Sequence, residues 1–294
     1  MDPLVIAFGL GVGVLVGLTG IGGGSLMTPL LLIFIGTNPV VAVGTDIAYG
    51  AITKTLGGWR HLRSGTVDLG ISKWLAFGSV PGSVVGVVLI SYLHHHHEDS
   101  FNTTLLWIVA ATLAVTAFIT LARALFMSAL VARERHTVVL GPRGKTAAVM
   151  LGATLGFILG VTSVGSGALI GLALILVFRL TPHRVVGTDV FHAAVLLWAA
   201  GLAQLAVGNI DFGLMGTILV GSLPGVLIGE HLSRRVPSSA LRPALGCVML
   251  GSALGVMSKA GANLSAWIII GPPIAIGAFA YGLQRVRVRG VVTA

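Results

Sequence analysis

The chain has 294 residues, of which 55% are apolar and 9% charged, with a mean hydropathy of +0.99. A soluble domain carries about 25% charged residues, so this composition excludes a soluble globular protein and points to an all-α polytopic membrane protein. The net charge of +9 does not mark a nucleic-acid binder, because the Lys and Arg residues stand between apolar runs, where membrane orientation places them. Cys247 is the single cysteine and lies inside an apolar run, which excludes a disulfide framework and a thiolate metal site. Nothing in the sequence calls for a cofactor or a resident metal. The opening MDPLVIAFGL has no basic segment before its apolar run, so it does not read as a cleaved signal peptide.

In chain order, apolar runs fall at about 4–36, 39–59, 68–93, 103–131, 146–178, 183–207, 212–232, 240–258 and 264–284. They form one transmembrane domain over 1–294, with a first repeat at 1–131, a second at 146–258 and an additional C-terminal helix at 264–284. The repeat is read from a fixed offset of 143 positions, at which about 22 of the 72 aligned residues from Gly17 to Val88 are identical. The matches fall on punctuation. Pro39 pairs with Pro182, Gly44–Asp46 (GTD) with Gly187–Asp189 (GTD), and Gly65, Asp68 and Gly70 with Gly208, Asp211 and Gly213. Gly78, Gly82 and Gly86 around Pro81 pair with Gly221, Gly225 and Gly229 around Pro224. These two faces suit close helix contact, within a protomer or between two in a homodimer.

The first and fifth runs are too long for one ordinary span, and a glycine cluster divides each into two pieces that are short for one. Each is either a re-entrant hairpin or a single interrupted span. Charge favours hairpins. With hairpins, the clusters Arg60/Arg63/Lys73, Arg133/Arg135/Arg143/Lys145, Arg179/Arg184, Arg234/Arg235/Arg242 and Arg285/Arg287/Arg289 fall on one side, which the positive-inside rule makes cytoplasmic. Each half then reads as a hairpin plus three crossing helices. Three crossings invert the second half, with the N-terminus outside and the C-terminus in the cytoplasm, the plan of a transporter with alternating access.

A broken helix at membrane depth survives only where protein or a cavity satisfies its backbone. The half-helix after each cluster would present free N–H groups and a positive dipole end, which suits an anion. Gly22, Gly23, Gly24, Gly165 and Gly167 would let backbone approach a small solute, with Thr19, Ser25, Thr162, Ser163 and Ser166 as added hydroxyls. Tight packing by small residues is the plainer alternative. Asp46 and Asp189 are read either as caps of the helices they begin or as intramembrane proton or cation carriers. Lys54, eight residues after Asp46, either snorkels to the surface or is a fixed cation for the substrate or a partner of Asp46. His192, one turn after Asp189, is either a hydrogen-bonded core residue or part of a proton relay, and Thr45 and Thr188 would add hydroxyl bonds to substrate. The run His94–His97 with Glu98 and Asp99 reads as a solvated outer loop rather than a metal chelate.

The segments GIGGGSLMTPLL at Gly20–Leu31, AVGTDI at Ala42–Ile47 and GTVD at Gly65–Asp68, with their second-half echoes, resemble the sulfite exporter TauE/SafE family of integral membrane proteins over nearly the whole chain. The resemblance implies a bacterial cytoplasmic-membrane transporter that moves sulfite, thiosulfate, sulfoacetate or a similar organosulfonate, usually outward. Its partners are then the lipid bilayer and a small sulfur oxyanion. The second cluster departs from the fuller first pattern, with Ser163 and Ser166 where the first half has Gly20 and Gly23. Two other readings compete. An anion channel or uniporter would line a pore with the same half-helix dipoles. An intramembrane serine protease would pair Ser166 with His192, but the first copy has Gly23 and Tyr49 at those positions and could not do that chemistry.

Overall fold

A computed structural model describes residues 3–19, 24–96, 98–126, 140–233 and 238–292. The described residues are helical, without a β-strand. In the first repeat, α1 (Pro3–Thr19) is followed by the short α2 (Gly24–Leu30), which widens into a π-helical turn over Leu31–Ile35 and stops at Gly36, whose φ is 75°. Then come α3 (Pro39–Arg63), α4 (Leu69–His96) and α5 (Glu98–Phe126). The second repeat has the same order: α6 (Pro142–Thr162), the short α7 (Leu169–Leu176), α8 (Pro182–Ala206), α9 (Phe212–Ser233) and α10 (Ser238–Met257). A second π-helical turn at Ser258–Ala262 leads to α11 (Ala266–Val292), which has no counterpart.

The starts of the helices follow from their sequences. Pro39, Pro142 and Pro182 each open a helix, where the missing N–H costs nothing. Asn38 caps α3 by accepting the Val40 N–H at 3.0 Å, and Asp68 and Asp211 cap α4 and α9 by accepting the Ile71 and Leu214 N–H groups at 3.0 and 2.9 Å.

Among the described residues, six helices, α4, α5, α6, α8, α9 and α10, are long and apolar enough to cross a membrane. The 25-residue α3 falls outside that set, because Asp46, Lys54 and its threonines dilute its apolar content. One expectation is corrected here. The piece of the second broken run ahead of the break is not short, since α6 has 21 residues, about 31 Å at 1.5 Å per residue. It begins at Pro142, and its first turn carries Arg143 and Lys145. The His-rich segment is also not a loop: α4 continues to His96 and α5 starts at Glu98, while His97 lies outside the described residues.

Helices pack by exchange between the repeats. α1 lies on α9, its counterpart α6 lies on α4, and α3 lies on its own counterpart α8. The glycine faces make the first two contacts. A Cβ at Gly78 would stand 1.9 Å from the Val149 carbonyl oxygen, and one at Gly221 would stand 2.1 Å from that of Ile6. Gly9, Gly13 and Gly17 on α1, and Gly152, Gly156 and Gly160 on α6, supply the opposing faces. Both faces identified in the sequence are therefore used within the chain.

Direction is legible from the same contacts. Gly50 meets Leu197, and Gly57 meets Val190, so α3 and α8 are antiparallel although they carry corresponding sequence. The two counterparts thus run in opposite directions. The basic clusters gather accordingly. Arg184 pairs with Asp68 at 3.4 Å, Arg60 with Glu230 at 3.0 Å, and Lys145 lies 5.1 Å over the Trp74 ring. Arg133, Arg135, Arg234 and Arg235 lie outside the described residues. On the flanks, Phe118, Trp267 and Ile274 stand exposed, as a chain surrounded by hydrocarbon requires.

Candidate functional site

The two breaks meet. A Cβ at Gly24, the first residue of α2, would lie 2.3 Å from the Ser163 carbonyl oxygen at the end of α6, so only a glycine allows that approach. Ser163 itself ends α6 in the left-handed region, with φ 59°. Beyond it, Gly165 and Gly167 take φ values of 129° and 99°, which a residue with a Cβ adopts only under strain.

Asp46 binds this junction together. It is fully buried, and its Oδ2 accepts the Thr28 N–H at 3.1 Å, the Thr28 hydroxyl, and the Ser163 hydroxyl at 3.0 Å. Oδ1 has no hydrogen-bond partner. Asp189, also buried, accepts the Gly167 N–H through Oδ1 at 3.2 Å. Neither carboxylate caps the helix it belongs to. α3 is capped by Asn38, and Asp46 lies two turns inside it. Instead, each carboxylate holds backbone N–H at the opposite side of a break, where the sequence predicts an anion.

Charge is balanced around them. Lys54 is 7% exposed and donates to the Ser166 hydroxyl at 2.9 Å, so it points inward and does not snorkel. Both carboxylates act on it electrostatically. Arg123, near the end of α5, acts on Asp189 in the same way. Its Nη1 lies 3.1 Å from where a Cβ of Gly171 would be, and Gly171 is the counterpart of Thr28. One repeat therefore fills this place with a hydroxyl for Asp46, and the other with a guanidinium near Asp189.

The remaining sequence-predicted residues divide. His192 Nε2 lies 3.1 Å from the Ser79 hydroxyl. In the other repeat the equivalent pair is Tyr49 and Ser222, which face one another without a hydrogen bond of ordinary geometry. Ser166 and His192 thus have separate partners, and the nucleophile–base pair a serine protease needs is not assembled. Thr45 accepts the Asp211 N–H at 3.0 Å and Thr188 accepts the Asp68 N–H at 2.8 Å, so these hydroxyl oxygens join the start of each crossing helix to the opposite repeat. Thr162 is turned to its own backbone, donating to Ile158 at 2.7 Å. Ser25 is buried beside the junction. Gly22, Gly23 and the Thr19 side chain lie outside the described residues. Sequence reasoning missed Thr28, Ser79 and Arg123. Thr28 and Ser79 stood inside matched segments, but only Ser79 is repeated, as Ser222, and nothing local set Arg123 apart from other basic residues near helix ends.

The model of the sulfite exporter TauE/SafE family matches residues 5–256. The chain belongs to that family. Among its relatives, a probable membrane transporter protein, YjnA, of Bacillus subtilis (strain 168) is 37% identical over 256 residues, covering 86% of this chain and 99% of the relative. A second Bacillus protein, the probable membrane transporter protein YdhB, is 25% identical over 233 residues, covering 79% and 91%. A probable membrane transporter protein of Xylella fastidiosa (strain 9a5c) is 27% identical over 278 residues, covering 90% and 99%. No solved structure is a significant match. This TauE/SafE chain is therefore a multi-pass membrane transporter, and its buried polar residues lie where its two repeats join.

Proposed function

We propose that the chain is a proton-coupled secondary transporter of small sulfur oxyanions such as sulfite or thiosulfate, working from the bacterial cytoplasmic membrane by alternating access around the two breaks. One observation carries the reading: the N–H and hydroxyl donors suited to an anion are held by the chain's own carboxylates, Asp46 at Thr28 and Ser163 and Asp189 at Gly167. Protonation removes the negative charge that makes a carboxylate a strong acceptor, so it holds such donors less tightly. Proton uptake at Asp46 and Asp189 releases them, an oxyanion takes their place, and Lys54, Arg123 and Ser166 complete its shell. Deprotonation restores the carboxylates and expels the anion. Proton and anion thus move together, because the carboxylates and the anion compete for one set of donors and a proton on the carboxylate yields that set to the anion.

The antiparallel counterparts α3 and α8 and the exchanged helix pairs support inverted halves that rock about this site. Burial of Asp46, Ser163, Asp189 and His192 describes an occluded arrangement. The ion pairs Arg184–Asp68 and Arg60–Glu230 lie at the basic end, which this reading places in the cytoplasm. Direction follows the gradients, and export is what the family name suggests. Radiolabelled sulfite and thiosulfate uptake into proteoliposomes tests the reading: saturable uptake driven by an imposed pH gradient is expected. Saturable uptake indifferent to the gradient would replace it with a uniporter or channel.

A further inference from the structure

An open apolar groove of about 1100 Å³ lies between α10, α11 and the π-helical turn that ends the first broken segment, lined by Ile33, Cys247 and Gly251 and by the exposed Phe34, Ile270 and Ile274. It belongs to neither break. Small residues hollow its walls: a Cβ at Gly251 would stand 3.5 Å from Pro273, and one at Gly277 would stand 3.5 Å from the Cys247 sulfur. Lys259 also lines it, and its Nζ donates to the Leu32 carbonyl. Among the described residues no carboxylate pairs with that ammonium. An apolar groove of this size is at the upper end of ligand pockets, which run to about 1,000 Å³, and its one charged lining residue is the exposed Lys259.

We propose that this groove holds one anionic phospholipid, with acyl chain laid along the α10–α11 wall and its phosphate at Lys259. Each methylene buried there adds binding free energy, and the phosphate supplies the charge that the carbonyl of Leu32 lacks. A neutral lipid gains the first term and not the second. Ile33 and Phe34 continue the segment whose Thr28 holds Asp46, so the lipid also braces the first broken segment. The site does not depend on which solute is transported.

Cys247 is the only cysteine of the sequence, which provides the test. The full chain, purified and delipidated in a neutral detergent, is alkylated with N-ethylmaleimide in the presence of phosphatidylglycerol or phosphatidylcholine, and retained lipid is counted by native mass spectrometry. Phosphatidylglycerol is expected to slow alkylation at least tenfold with one lipid retained per chain, and phosphatidylcholine to slow it at most twofold. Lys259→Ala should level the two lipids, Lys259→Arg should keep the preference, and Gly251→Leu should abolish retention by filling the groove. Equal protection by both lipids in the unaltered protein, or protection that rises with protein concentration in the absence of lipid, would overturn the proposal, the latter by assigning the groove to a second copy.

Discussion

Gly24→Ala places a methyl group where the two breaks touch. Its Cβ would lie 2.3 Å from the Ser163 carbonyl oxygen and 3.1 Å from the Ser163 hydroxyl. A carbon–oxygen contact settles at about 3.3–3.6 Å, so the breaks must separate by roughly 1 Å. Ser163 is 3.0 Å from Asp46 Oδ2, and the same movement takes that bond to about 4 Å, beyond hydrogen-bonding range. Losing a hydrogen bond to a charged acceptor costs about 1.5–3 kcal/mol, and overpacking adds about 1–3 kcal/mol. The sum is a large share of the stability of a typical domain, about 5–15 kcal/mol. The assay is tryptophan-fluorescence melting in detergent beside anion uptake per folded protein in liposomes. Gly11→Ala is the control, since a Cβ there meets nothing within 4 Å. Gly24→Ala should melt well below the unaltered protein and lose at least tenfold in uptake rate. Unchanged melting and uptake would refute the junction of the two breaks as the working centre.

Asp46→Asn keeps an amide oxygen for Thr28 and Ser163 but cannot cycle a proton; it should fold, and its uptake should cease to respond to a pH gradient, which a persisting response would contradict. Asp46→Ala leaves a Thr28 N–H and two hydroxyls to find other acceptors, at roughly 1–3 kcal/mol for each that stays unsatisfied, so it should melt below Asp46→Asn. Gly78→Ala drives a Cβ to 1.9 Å from the Val149 carbonyl and should cost about 1–3 kcal/mol in thermal melts; a neutral result would show that α4 and α6 do not pack as described. At the basic end, Glu230→Gln breaks a pair whose side chains are 45–51% exposed and should change stability by no more than about 1 kcal/mol. Asp68→Asn breaks the more buried pair with Arg184 and should cost more, and the reverse order would overturn this ranking.

The architecture was legible because it is written in residues that lipid and helix geometry leave few choices about. Apolar length gave the helices, and the repeated prolines and glycines led to the matched order of elements, in which α3 and its counterpart α8 run antiparallel. The matched GTD segments led to Asp46 and Asp189, but not to what they hold. A carboxylate near a helix start reads locally as that helix's cap, and only the tertiary fold shows that Asn38 has that role and that Asp46 reaches across to α2 and α6. Thr45 and Thr188 illustrate the same limit: their repeated hydroxyls suggested ligands, while their oxygens accept from Asp211 and Asp68, the capping residues of α9 and α4 in the opposite repeat. Arg123 was invisible because its place depends on Gly171, forty-eight positions away, leaving room that Thr28 fills in the other half.

The competition between carboxylate and anion is tested most directly by counting protons when the anion binds. The purified protein in weakly buffered detergent is titrated with thiosulfate, which does not itself titrate near neutral pH, while a pH indicator follows the solution. The account predicts that protons are taken up in step with thiosulfate, and that Asp46→Asn with Asp189→Asn abolishes the uptake. Saturable binding with no proton taken up would contradict it.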